Sequence, residues 1–330
     1  MRPLLIGAGA VGLGIASALL KAGEAVHIVA RPAVADALRR WGLRRSGVLG
    51  DLTIPASQLT VFDSLPDHHR AMYDHVLVCT KAYDAEAVAF ELAQRPWLLQ
   101  EDAIVVGFFN GIGAHDFFVG AFPKERVFAA CVTTGFRLTS PCTVEVTVHA
   151  ADVLVGNPFT GCAQGAESLC EALTRGDIPA RPCADISAAL WSKLAYNSAV
   201  NALGALYGCT IGQLVGEPNI RLQVERIVRE TFEVIGAAGV RTYWASVDEY
   251  LKHLFERLIP ATASHETSML QDLRRGKRTE IGFLNGAIVR LGRKHGVPTP
   301  VNASVTAEIK RLEANSGRHS ESSQRDKEAA

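Results

Sequence analysis

Neither sign of charge prevails in this chain: Lys and Arg together number 34, and so do Asp and Glu. A broad basic face for nucleic acid is therefore not implied, and no nucleic-acid partner is expected. No apolar run approaches the ~20 residues that span a bilayer, so no membrane partner is expected either. The seven cysteines show no C-x-x-C and no Cys/His ligand spacing. That argues against a zinc site and against a disulfide framework, and a reduced cytoplasmic protein fits best. Internal repeats and coiled-coil heptads are also missing. What remains is 330 residues with 48% hydrophobic content, enough to bury a sizeable core in two domains.

The most informative stretch is Leu190 to Leu206, LWSKLAYNSAVNALGAL. It is of helix length and mostly apolar, yet Lys193, Asn197 and Asn201 recur in it at four-residue spacing. At about 100° per residue they share one stripe, and Gly204 falls on it without a side chain, which leaves room there. A solvated face usually carries Glu, Lys, Arg or Gln. One ammonium and two amides suit a wall for an anionic, oxygen-rich small molecule, because a buried Lys needs a partner. A solvent-facing polar stripe is the plain alternative.

The chain opens like a signal peptide, but its glycines have a better explanation. Leu4 to Gly7 reads as a strand, followed by Gly7-Ala8-Gly9-Ala10-Val11-Gly12, a helical run to about Ala22, and a second strand over Ala25 to Val29. A lone G-x-G-x-x-G says little, but strand before and helix after is the context of the dinucleotide fingerprint. Gly7 permits the tight turn, Gly9 lets backbone approach a pyrophosphate, and Gly12 lets helix and strand pack closely. The tip of the second strand carries Arg31 and no acid. An NAD site places Asp or Glu there for the ribose 2′-hydroxyl, whereas a guanidinium suits a 2′-phosphate. NADP(H) is therefore the expected cofactor, an ordinary surface arginine being the other reading.

Further along, Thr53 to Thr60 reads as strand, and HVLVC at His75 to Cys79 as a buried parallel strand ending at Thr80 and Lys81. Lys81 either reaches a cofactor or substrate or merely starts the next helix. Ala103 to Gly107 is another buried strand, and Asn110 follows it in FNGIG. That amide either orients a carbonyl or ribose or belongs to an Asn-Gly turn. Val127 to Ala130 resumes the sheet. The alternation over Thr143 to Val155 predicts a half-solvated antiparallel extension, with His149 exposed in it. A helix over Gln164 to Leu173 and a strand over Ile178 to Cys183 follow.

Beyond about Asp185 helical periods dominate. Helices are expected over Ile220 to Ala237 and Tyr243 to Leu258. Ser268 begins SMLQDLRRGKRTEIGFLNG, in which Glu280 opens a long final helix where the dipole alone could account for it. Glu313 to Ala330 is polar and Ser-rich, predicting a disordered tail. The expected organisation is α/β: a Rossmann-type doubly wound sheet with an antiparallel extension over 1–185, an all-α domain over 186–312, and a tail over 313–330.

GAGAVG, Lys81 after a buried strand, Asn110 in NGIG, LWSKLAYNSAVN and the S-M-L-Q-D…E segment together resemble the ketopantoate reductase (2-dehydropantoate 2-reductase) family over nearly the whole chain. The resemblance implies a Rossmann domain joined to a helical domain with the active site in the cleft between them. It implies Lys193 as catalytic acid, with Asn197, Asn201 and Ser268 holding substrate and Glu280 contacting substrate or cofactor ribose. Lys81 and Asn110 would lie near the nicotinamide. The implied reaction is NADPH-dependent reduction of a 2-oxo acid, 2-dehydropantoate to (R)-pantoate, serving pantothenate and coenzyme A synthesis, and a homodimer is left open. Phe108, Phe109 and His265 depart from the family pattern and keep a second reading in view, a reductase of another branched or bulky 2-oxo acid. A non-catalytic NADP-binding sensor is the third reading, and it gives Lys193 and Glu280 no task.

Overall fold

The computed structural model describes residues 1–67 and 70–328, with side chains placed to residue 315 outside that gap. The chain forms two compact units. One comprises Met1–Phe109 and Ala114–Ser187, and the other takes Asn110–Gly113 together with the chain from Ala188 onward. The separation thus falls at Ser187, two residues past the expected one, and the helical unit also takes Asn110 from the loop that follows a strand.

The N-terminal unit contains strands β1 (Pro3–Ile6), β2 (His27–Val29), β3 (Leu43–Gly47), β4 (Leu52–Ile54), β5 (Thr60–Phe62), β6 (Tyr73–Val78), β7 (Leu99–Gly107), β8 (Val127–Cys131), β9 (Thr134–Ser140), β10 (Thr143–His149), β11 (Val153–Gly156) and β12 (Ala180–Pro182). Its helices are α1 (Ala10–Lys21), α2 (Pro32–Trp41), α3 (Ala85–Ala93), α4 (Asp116–Val119) and α5 (Glu167–Arg175). The eight-stranded sheet runs β12-β11-β8-β7-β6-β1-β2-β5. Its parallel part, from β5 to β8, has the doubly wound order 3-2-1-4-5-6 of dinucleotide-binding sheets. β1 and β8 are buried at every position, as strands covered on both faces are. β11 pairs antiparallel with β8, which is the expected extension.

Two expectations give way here. The run Thr53 to Thr60 is two strands in different sheets, β4 and β5, because Pro55 and a short 3₁₀ turn at Ala56–Gln58 break it. The alternating run Thr143 to Val155 also divides. β10 belongs to a second, four-stranded sheet, β4-β3-β10-β9, and only β11 joins the main one. His149 in β10 is half-buried, its Nδ1 2.9 Å from Thr134 Oγ1, and not exposed. The second sheet meets α1 at Gly14, where a Cβ would stand 2.3 Å from the Phe136 ring. It is also stitched by Arg45, which is 2% exposed and donates to Gly176 O at 2.9 Å and Asp177 Oδ2 at 2.6 Å.

The second unit is helical: α6 (Ile186–Tyr207, its first residues belonging to the other unit), α7 (Ile211–Gly216), α8 (Pro218–Ala237), α9 (Val247–His253), α10 (Ile259–Ala261), α11 (Ser268–Arg274), α12 (Asn285–His295) and α13 (Pro300–Glu328). α8 starts at Pro218 because proline suits the first helical position. α9 starts at Val247, where the Ser246 side chain accepts the Glu249 N–H, and continues through a π turn at Leu254–Leu258. Leu194, Ala195, Ala199, Val200, Ala202 and Leu203 of α6 are buried in this unit's core. α13 runs on to Glu328 where a disordered tail was expected; the segment has no proline and a single glycine, so nothing in it breaks a helix already begun. Residues 329 and 330 of that expectation lie outside the described residues. No helix among the described residues is long and apolar enough to cross a membrane, and no group of His, Cys, Asp or Glu among them is arranged to hold a metal ion.

Candidate active site

The glycine turn sits between β1 and α1. Gly7 has φ +103°, and a Cβ there would lie 2.7 Å from Thr80 N, so the turn and the end of β6 are in close backbone contact. A Cβ on Gly12 would lie 1.9 Å from Gly7 O, which is why helix and strand can approach only with glycine there. Gly9 is different: nothing lies within 4 Å of its notional Cβ. It is the N-cap of α1, where no side chain caps the helix and no acid occupies the first turn. Ala8, Gly9, Ala10 and Val11 are half-buried, so the turn borders open space with N–H groups at a helix N-terminus. That open cradle fits a dinucleotide pyrophosphate. Beside it Thr80 Oγ1 is buried with no hydrogen-bond partner among the described residues.

β1 and β6 are neighbours from which the sheet order departs in opposite directions, the position where such sheets bind ligands at strand carboxyl ends. Lys81 follows β6 as the N-cap of a 3₁₀ turn at Ala82–Asp84 and is half-buried, so it both starts the next helical turn and stands at that edge. Arg31 caps α2 just past β2 and is exposed.

In the helical unit the α6 stripe is real, and its members are largely buried: Asn197 is 8% and Asn201 7% exposed, and Lys193 is half-buried. Lys193 Nζ donates to Asn110 Oδ1 at 2.8 Å, and Asn110 Nδ2 donates to Glu280 Oε2 at 3.4 Å. The amide orientation follows from charge, since an ammonium needs an acceptor and a carboxylate a donor. Sequence spacing placed these residues as separate candidates; the fold makes them one ammonium–amide–carboxylate chain. Lower on the stripe, Asn201 Nδ2 donates to Ser268 Oγ at 3.4 Å, and its Oδ1 accepts the Met269 N–H at 3.2 Å. Asn201 thus helps cap α11 and positions the exposed Ser268 hydroxyl.

Three local expectations change. Gly204 leaves no room for a ligand: a Cβ there would meet Thr267 Cγ2 at 2.7 Å, so the glycine serves the packing of Thr267 against α6. Glu280 does not open a helix. It lies five residues before α12 in a turn, 7% exposed, and its carbonyl accepts the Phe283 N–H at 2.9 Å, so the helix dipole does not account for it. Phe108 and Phe109 are core residues of the N-terminal unit, and Phe109 stacks on Phe118 with ring centroids 6.0 Å apart. His265 is half-buried in the helical unit, and its carbonyl accepts the Ile211 N–H. Residues that the sequence reading passed over include Thr80 and Thr267, and also Asn285, whose only signal was its place in the FLNG run after Glu280.

A glycine turn on a 3-2-1-4-5-6 sheet defines a dinucleotide-binding protein, and the paired lysine of the helical unit suits an oxidoreductase. Comparisons with known proteins agree. The family model described as "Ketopantoate reductase PanE/ApbA" matches residues 4–158, and "Ketopantoate reductase PanE/ApbA C terminal" matches residues 185–313. The 2-dehydropantoate 2-reductase of Aquifex aeolicus is 34% identical over 95% of this chain and 97% of its own. A PanE/ApbA family ketopantoate reductase from Ralstonia eutropha JMP134 superposes with TM-score 0.82 at 27% identity, covering 96% of this chain and 99% of that one. D-mandelate dehydrogenase in complex with NADH and anilino(oxo)acetate shares the fold, at TM-score 0.82 and 23% identity over 96% of this chain and 99% of its own. The chain belongs to the ketopantoate reductase family.

Proposed function

We propose that the protein reduces 2-dehydropantoate to (R)-pantoate with NADPH, Lys193 acting as general acid. The observation that carries this reading is the Lys193 ammonium held 2.8 Å from the side-chain oxygen of Asn110, whose amide nitrogen donates to the buried Glu280 carboxylate. The relatives named 2-dehydropantoate 2-reductase support the substrate.

The dinucleotide supplies the hydride that reduces the ketone carbon. Negative charge then grows on the carbonyl oxygen, and Lys193 Nζ stabilises it and delivers the proton there, help typically worth about 10²–10⁴ in rate. Asn110 orients the ammonium through its carbonyl, and Glu280 balances its charge through the amide nitrogen. Asn197, Asn201 and Ser268 offer donors and acceptors to the substrate's hydroxyl and carboxylate, so that an analogue lacking them leaves buried polar groups unpaired. Gly7 to Gly12 hold the pyrophosphate. Arg31, exposed just past β2 with no acid at the strand tip, favours the 2′-phosphate of NADP over NAD. Lys81 and Thr80 Oγ1 serve the cofactor side.

A preference for bulkier 2-oxo acids loses the support of Phe108 and Phe109, since both are buried in the core of the other unit. The test is NADPH oxidation by the purified protein with ketopantoate, 2-oxoisovalerate and pyruvate, compared by kcat/KM. Ketopantoate should lead. A clear preference for another oxo acid moves the assignment to that substrate, and no turnover with any of them leaves the sensor reading.

A further inference from the structure

Glu280 and Lys193 lie on different elements of the helical unit, and one buried side chain braces those elements together. Asn285, the first residue of α12, is fully buried. Its Nδ2 donates to Ser198 O on α6 at 2.8 Å and to Asn302 Oδ1 on α13 at 3.0 Å. Asn302 is itself fixed, its Nδ2 donating to Glu230 Oε2 at 2.8 Å, while the Glu230 carboxylate accepts the Val301 and Asn302 N–H groups at 2.8 and 2.9 Å. The brace thus runs from α8 through α13 and α12 to α6, and it reaches α6 beside Asn197, between Lys193 and Asn201.

On its other side Asn285 ends the turn that holds Glu280. The Glu280 carbonyl accepts the N–H of Phe283 at 2.9 Å and of Leu284 at 3.2 Å, and Gly286 N donates back to Ile281 O at 2.9 Å. A closed turn of this kind has little freedom, so fixing its last residue fixes its first. Asn285 Oδ1, by contrast, is buried with no partner among the described residues. An unpaired buried carbonyl is unfavourable, so the side chain stabilises this packing through its two donated bonds and not through its acceptor.

We propose that Asn285 is a positioning residue that holds the Glu280 turn against the Lys193 helix, so that the carboxylate stays in register with the ammonium through Asn110. This rests on the reductase reading above. Without the brace the turn keeps its internal bonds but shifts against α6, and Glu280 no longer balances Lys193.

The test is a double-mutant cycle of Asn285→Ala and Glu280→Gln on the full-length protein, read as kcat and KM for ketopantoate with NADPH. A displacement of this sort lowers kcat by roughly tenfold to 10²-fold. Asn285→Ala should lower kcat by that factor in the parent, leave the KM for NADPH within about twofold, and add little in the Glu280→Gln background. Asn285→Ser, which retains one donor, should recover part of the loss and serves as the single mutant if the alanine variant does not fold. Ile309→Ala, a cavity in the same core, controls for lost stability and should leave kcat unchanged. Equal loss in both backgrounds, or the same loss from Ile309→Ala, overturns the positioning role while the reductase stands. A parent protein that turns over no 2-oxo acid overturns both.

Discussion

His115 is held neutral by its surroundings. Burial pushes its pKa down from 6.5 to about 4, partly offset by a hydrogen bond to Gly107 O at 3.2 Å. Above pH 6.5 the group is neutral in both folded and unfolded chains and stability does not depend on it. Between 6.5 and 4 the unfolded chain takes up a proton that the folded chain refuses, so stability should fall by roughly 3 kcal/mol across that window and level off below it. His115→Gln, which keeps a donor for Gly107 O, should flatten the unfolding free energy over the same interval; an unchanged slope would show that His115 titrates normally. At this scale the α6 stripe was legible because helical periodicity acts within a few residues. The Lys193–Asn110 bond was not, since its partners stand 83 residues apart and nothing in either segment encodes the other. Gly204 misled because an empty position in a sequence does not say whether ligand or protein fills it.

At the scale of elements, the strand–turn–helix at the N-terminus makes a sharp distinction between two glycines. Gly9 has a φ of −81° and faces open space, so Gly9→Ala should fold and melt as the parent does, yet bind NADPH at least about tenfold more weakly because the methyl enters the pyrophosphate's place. Gly12→Ala meets backbone at 1.9 Å and should lower the melting temperature as well as the affinity. Isothermal titration with NADPH beside thermal unfolding separates them, and equal binding by Gly9→Ala would contradict the cradle. This element was readable because its glycines, strand and helix are contiguous. The division of Thr143 to Val155 between two sheets was not, since alternation reports which faces are wet and not which neighbour a strand pairs with. Arg45, buried in β3, ties the second sheet to the residues that follow α5. Arg45→Met removes its bonds to Gly176 O and Asp177 and should cost roughly 2 kcal/mol in denaturant unfolding.

At the scale of the whole molecule, the proposed reaction divides the labour: the N-terminal unit would hold the dinucleotide and the helical unit would supply the acid. Cofactor choice belongs to this scale, because the contact proposed for Arg31 is with a part of the ligand remote from the chemistry. Arg31→Ala should raise the KM for NADPH by about tenfold and leave that for NADH nearly unchanged, and equal effects on both would assign the arginine to the surface. The doubly wound class of the sheet followed from alternating strand and helix signals, whereas the capture of Asn110 by the helical unit could come only from the folded chain. The most direct measurement compares the parent with Lys193→Ala in NADPH oxidation by ketopantoate, with NADPH affinity titrated separately. The account predicts a loss of kcat of about 10² or more with cofactor binding retained; a variant that turns over as fast as the parent would contradict it.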